Sequence, residues 1–175
     1  MTNDIIWSTH GSNLRKVGPR DAKTREAPVE PIDFPSLVRF ARGHSTWAQL
    51  MGWTPSSIAG ASEVGRQLYL AGRLDEAKLI FEMLARANPH DAYVLCGLGA
   101  VAAAMDDVDR ARHAWRASLA VSRSFAQSAF NLAELELREG NPTAAAPWIR
   151  YVLEHTSDGP LRDRAKGLEA LLPTE

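Results

Sequence analysis

The chain has a single cysteine in 175 residues, Cys96, so no disulfide can form within it and a reducing compartment is expected. It also lacks an excess of either charge: 20 Lys and Arg stand against 21 Asp and Glu, a formal net charge of −1. That balance offers no broad electrostatic field for nucleic acid or an anionic membrane surface. No stretch approaches the roughly 20 apolar residues that a membrane span requires. The start, Met1-Thr2-Asn3-Asp4-Ile5-Ile6-Trp7, has no basic segment followed by a long apolar run. A cytoplasmic location is therefore expected, with no nucleic-acid partner and no membrane insertion.

Catalytic patterns are missing as well. The histidines His10, His44, His90, His113 and His155 form no pair at metal-ligand spacing, and one cysteine cannot complete a site for them. There is no Gly-rich phosphate loop and no nucleophile elbow. Cys96 has no neighbouring His or Lys to lower its pKa, so a small groove or core residue is the better reading. Glu134 and Glu136 lie two apart, which on a helix turns them in different directions. No enzyme, cofactor or metal is expected.

What is present reads as helix. With 45% apolar and 23% charged residues the chain suits one domain with a modest core. Residues 1–35 read as a flexible N-terminal arm, punctuated by Gly11, Gly18, Pro19, Pro28, Pro31 and Pro35. Its bases Arg15, Lys16, Arg20, Lys23 and Arg25, with Asp21 and Glu26 among them, read as a solvated tail. Residues 36–57 form an N-terminal helical segment. Leu37, Phe40 and Ala41, then Trp47, Leu50 and Met51, recur at spacings of three and four, with Gly43 interrupting. Trp47, Leu50 and Trp53 are its anchors, either on the element that follows or across a homodimer. Thr54-Pro55 starts the next helix, with Pro at its first position.

From Ile58 the sequence repeats with a constant step. Gly72, Asp106 and Gly140 share a turn position; Ala77, Ala111 and Ala145 keep the step, as do Phe81, Trp115 and Ile149, and Gly65, Gly99 and Ala133. Such a 34-residue helix–turn–helix unit is the tetratricopeptide repeat, in which small residues mark helix crossings and the bulky one fills the space left. The expected fold is all-α: three repeats over residues 58–157, preceded by the helical segment and closed by a capping helix and tail over 158–175. Leu161, Ala165, Leu168 and Leu172 line that cap's inner face, while Arg162, Asp163 and Lys166 point elsewhere. Pro147, inside the last repeat's second helix, predicts a kink or a delayed start.

In such a stack the first helix of each pair lines a concave surface, with exposed positions at i, i+4 and i+7. These are Ser62, Arg66 and Tyr69; Cys96, Ala100 and Ala103; and Phe130, Glu134 and Leu137. Glu63, Tyr93, Gly97, Ala104, Gln127, Asn131 and Arg138 flank them. A floor of small residues between aromatic walls suits an extended peptide, and Arg66, Glu134 and Asn131 are placed to bond its main chain. The competing reading is that the small residues serve only tight packing of the superhelix.

Asn88-Pro89-His90-Asp91, Gly97-Leu98-Gly99-Ala100, Ala104-Met105 and Asp109-Arg110-Ala111 resemble the class II translocator chaperones of bacterial type III secretion systems. Leu68 to Ala77 is similar to that family's first repeat. Ala133-Glu134 with Leu137 and Gly140 is similar to its third, and Ser45 to Leu50 to its N-terminal helix. The resemblance spans residues 45–155. It implies a cytoplasmic chaperone without ATP hydrolysis that keeps hydrophobic pore-forming translocators soluble. The resemblance further implies a concave groove for a Pro-x-Leu-x-x-Pro-like segment, with Tyr69 at an aromatic groove position, and N-terminal helices that pair into homodimers. The alternative is a general scaffold joining cytoplasmic proteins.

Overall fold

The computed structural model describes residues 32–173. Residues 1–31 lie outside this range, so the reading of a flexible arm falls outside the described residues. Among those described, the secondary structure is entirely helical. The elements are α1 Phe34–Ala41, α2 Trp47–Leu50, α3 Pro55–Leu70, α4 Leu74–Ala87, α5 Ala92–Ala104, α6 Val108–Val121, α7 Ala126–Arg138, α8 Pro142–His155 and α9 Pro160–Glu169. α1 takes in Phe34 and Pro35, which the sequence pattern leaves in the arm.

Local chemistry sets these boundaries. Thr54 caps α3 in a reciprocal pair with Ser57, and Pro55 occupies the first turn, where its missing N–H costs nothing. Asp91 Oδ1 accepts from the Tyr93 and Val94 amides at 3.0 and 3.1 Å and opens α5. The turn within each pair is reversed by a left-handed residue: Gly72 at φ 73°, Asp106 at φ 63° and Gly140 at φ 76°. Asp is one of the few residues with a side chain that tolerates this conformation. The turn between pairs uses an extended residue at the same repeat step: Asn88, Ser122 and Thr156. Ser122 and Thr156 do so without a proline following at the consensus position.

Three pairs, α3/α4, α5/α6 and α7/α8, stack in sequence, and α9 closes the far end against α7 and α8. The core is built from one repeated position. Phe81, Trp115 and Ile149 are each almost wholly buried. Phe81 needs two glycines: a Cβ at Gly65 would come to 3.0 Å of its ring and one at Gly97 to 2.3 Å. Trp115 lies against Gly99, where a Cβ would meet its indole at 2.5 Å, and its Nε1 donates to the Cys96 carbonyl at 3.1 Å. Successive pairs are also pinned polar to polar. Arg112 donates to Glu136 at 2.9 Å, and Ser118 donates to the Ala92 carbonyl at 2.7 Å while accepting from Ser128 at 2.8 Å.

Two expectations are refined here. α8 starts at Pro142 and continues through Pro147, so of the kink and the delayed start expected there, the delayed start is excluded. Pro147 lies early in the helix, where its missing N–H forfeits one hydrogen bond, to the Thr143 carbonyl. Arg162 does not point away from the fold. Its guanidinium donates to the carbonyls of Leu153 and Thr156 and satisfies the open end of α8.

Candidate functional site

The concave wall is formed by α3, α5, α7 and α9, each touching the next. The sequence pattern expects its lining positions to be exposed, and the structure corrects that. Ser62, Tyr69, Cys96, Ala100, Ala103, Gln127, Phe130 and Asn131 are buried; Glu63, Arg66, Tyr93 and Glu134 are half-buried. The inner radius of a superhelix crowds side chains, so small residues sink between larger neighbours. Gly97, read as a groove flank, instead faces the Phe81 ring and belongs to the packing between pairs.

The polar groups read as free for a peptide main chain have partners within the fold. Arg66 makes a two-pronged contact to Glu63, Nε to Oε2 at 2.8 Å and Nη2 to Oε1 at 2.7 Å. That pairing holds the Glu63 carboxyl below the usual glutamate range. Arg164 of α9 donates to Glu134 at 3.0 Å and lays its guanidinium over the Phe130 ring, 4.2 Å from the centroid. Burial outweighs that cation and pushes the Glu134 carboxyl up. Gln127 Nε2 donates to Asn131 Oδ1 at 2.9 Å, and Asn131 Nδ2 to the Cys96 sulfur at 3.6 Å. Burial pushes the Cys96 thiol up to about 12, which leaves it a packed sulfur rather than a nucleophile.

Open space lies at the N-terminal end of the wall. A cavity of about 680 Å³ is lined by Ala48, Gln49 and Trp53 around α2, by Pro55, Ser56, Ile58, Ala59, Gly60, Ser62 and Glu63 of α3, and by Asn88, Asp91 and Tyr93 before and within α5. Of the sixteen positions read as lining or flanking the groove, Ser62, Glu63 and Tyr93 reach it; the structure brings Trp53 there too. Burial and the Glu63 carboxylate push the Tyr93 phenol up to about 12, so it is a neutral donor at this rim. A second cavity of about 480 Å³ lies on the outer face of α4, between Trp47, Trp53, Leu79, Glu82, Met83, Arg86 and Ala87. Trp47, 46% exposed, stands at its edge and meets Phe40 edge-on at 5.6 Å. Of the three anchors, Trp53 packs against the core of the first repeat, Leu50 is half-buried and Trp47 is exposed.

Two lining residues were missed although the repeat step points to both. Ala59 is the equivalent of Tyr93 and Gln127, and Arg164 of Ser62, Cys96 and Phe130. Gly167 likewise continues Gly65, Gly99 and Ala133, so α9 is the first helix of a fourth unit by phase.

A concave wall of repeat helices with a cavity at one end defines a tetratricopeptide-type superhelix. Solved structures narrow the likeness. The chain is similar to a type III secretion complex from Aeromonas hydrophila at 23% identity and TM-score 0.69, covering 79% of this chain and 93% of that one. It is similar to the type III secretion translocator chaperone SycD of Yersinia enterocolitica at 21% identity and TM-score 0.66, over 73% of this chain and 96% of that one. The same chaperone in complex with a peptide of the translocator YopD matches at 22% identity and TM-score 0.61, over 67% and 94%. No protein-family model matches the sequence, and no curated protein does. At these identities the likeness establishes the fold.

Proposed function

We propose that this protein is a cytoplasmic chaperone that holds an extended, hydrophobic segment of a secreted translocator along its concave face. The observation that supports this most is the shared architecture: nearly the whole of a translocator chaperone is matched in fold, and that chaperone is solved with a translocator peptide. The segment enters at the 680 Å³ cavity, where Trp53, Ile58 and Ala59 supply apolar walls and Tyr93 a hydroxyl. It continues over the small floor of Cys96, Ala100 and Ala103, while Arg66 and Glu134 hold the walls through their ion pairs. Covering an aggregation-prone stretch in this way requires no bond-making step, so binding alone is the activity. A homodimer through Trp47, Leu50 and Trp53 belongs to the same proposal.

Co-expression with hydrophobic translocators, scored by their recovery in the soluble fraction, tests the reading. A point variant sharpens it. Ala103 is 6% exposed within the core, so enlarging it would disturb folding; exposed Ala59 is the better position. Ala59→Trp should keep its thermal midpoint and lose about ten- to a hundredfold in affinity for a Pro- and Leu-containing segment, the loss of one buried apolar side chain, ~1.5–3 kcal/mol. Unchanged affinity by isothermal titration would move the site off this cavity.

A further inference from the structure

The turn between α4 and α5, Asn88-Pro89-His90-Asp91, carries more polar chemistry than turning requires. At the repeat step its two ends correspond to Ser122 and Phe125 before α7, and to Thr156 and Gly159 before α9. All three turns begin on an extended residue, yet neither Phe125 nor Gly159 caps its helix with a side chain. The turn itself therefore does not demand an Asn and an Asp three residues apart. Of the three turns, the one that carries them is the one that lines the cavity of about 680 Å³.

Each of these two side chains is held by one atom and has another left over. Asn88 Oδ1 accepts from the His90 amide at 3.2 Å. An N–H can only donate, so that contact assigns the oxygen and leaves Nδ2 as the outer atom. Asp91 Oδ1 accepts from the Tyr93 and Val94 amides at 3.0 and 3.1 Å. Among the described residues, neither Asn88 Nδ2 nor Asp91 Oδ2 has a partner. Both residues are half-buried, so a hydrogen bond made there is partly shielded from water. One edge of the cavity thus offers a held donor and a held acceptor, and Trp53, Ile58 and Ala59 form its apolar walls.

An extended polypeptide is the complement of that edge. Each residue of a strand turns its own N–H and C=O to the same side, while its side chain projects out of that plane. A neighbouring strand would meet them with one acceptor and one donor, the pair that Asp91 Oδ2 and Asn88 Nδ2 supply. We propose that Asn88 and Asp91 read the main chain of the bound segment: one of its residues donates its N–H to Asp91 Oδ2 and accepts at its C=O from Asn88 Nδ2, while an adjoining apolar side chain enters the cavity. The assignment rests on the chaperone reading and adds a rule of specificity to it. Proline is excluded at the residue so held, because it has no N–H, whereas other side chains are tolerated there.

The probes are short capped peptides tiled along a hydrophobic translocator, with affinity for the full-length protein read by fluorescence polarisation. The tightest is then N-methylated one position at a time, which deletes a single N–H. In the unaltered protein one position should cost about tenfold, the effect of leaving a half-buried acceptor unmet. Asp91→Asn keeps the helix cap, because Asn caps as well as Asp, but turns a donor toward the segment. It should bind the unmethylated peptide about tenfold more weakly, and methylation at the sensitive position should then cost less than about twofold more. Asn88→Asp, away from the cap, keeps Oδ1 for the His90 amide and tests the pair independently. It should also lose about tenfold, since an acceptor then faces the peptide carbonyl. Both variants should keep their thermal midpoints. A loss of the same factor for every peptide, methylated or not, overturns the proposal, since it marks lost charge or loosened packing. Full affinity in both variants also overturns it and leaves the chaperone reading intact. If no peptide binds the unaltered protein, the chaperone reading fails and this one fails with it.

Discussion

Gly97 and Gly99 show how single residues set the spacing of the whole stack. Each faces an aromatic ring closer than any Cβ tolerates, 2.3 Å from Phe81 and 2.5 Å from Trp115. Both rings are locked in the core, so the conflict cannot be relieved by a side chain swinging into solvent. Gly99→Ala is expected to destabilise by ~1–3 kcal/mol, the cost of overpacking, although alanine is the better helix former by about 1 kcal/mol. Urea denaturation followed by circular dichroism measures this, and an unchanged midpoint would show that the indole has room to shift. The sequence marks Gly99 as a crossing point through its place in the repeat. It misplaces Gly97, whose helical position alone does not tell which neighbour's ring it meets.

At the scale of one helix, α3 is tied by the Glu63–Arg66 pair, with Gln67 adding a third contact to the same carboxylate at 3.0 Å. The pair is partly exposed, so its worth is modest and salt-sensitive. Its sign is nonetheless clear. The folded state lowers the Glu63 pKa, chiefly through the hydrogen bond from Arg66, so the contribution is present above the unfolded value of about 4.3 and is lost as pH falls through the folded one. Glu63→Gln should therefore lower stability modestly above about pH 4.3, leave it nearly unchanged at the acid end, and so flatten the acid limb of the curve. Thermal midpoints measured from pH 3 to 7 supply the check, and parallel curves for the two proteins would refute it. Boundaries at this scale were legible where the chemistry is local, as at Thr54-Pro55, Asp91 and the left-handed Gly72 and Gly140. Continuity of α8 through Pro147 was not, because propensity penalises the residue without weighing the apolar face, Ala145, Ile149 and Val152, that holds the helix in place.

At the scale of the whole fold, the exposed apolar side chains among the described residues concentrate at the N-terminal end. Phe34, Leu37, Phe40, Trp47 and Met51 are exposed, and Leu79 and Met83 continue the surface on α4. Among the described helices, α1 touches α2 and none of the repeats. Replacing Trp47 and Leu50 together by Ala is expected to lower the oligomeric mass in sedimentation while the repeats keep their helical signal. Stability should fall by ~2–4 kcal/mol if the two side chains are buried in a dimer, and by less than half that if Trp47 remains exposed as in the single chain. Unchanged mass and unchanged stability would mean that neither α4 nor a second copy uses these side chains.

The sequence by itself determined the all-helical repeat, its phase and its cap, because these follow from a constant repeat step and from residue types whose backbone or steric demands are local. Gly72, Asp106 and Gly140 demand a turn wherever the chain goes, and Phe81, Trp115 and Ile149 demand small partners at a set distance. Only the tertiary structure decided which concave positions stay open. Exposure there depends on how close neighbouring first helices come at the inner radius and on side chains from other units, as when Arg164 reaches back over Phe130 from the capping helix. A periodic pattern shows which face a residue occupies; the curvature of the stack, a sum over all its packing contacts, sets how much water that face still meets.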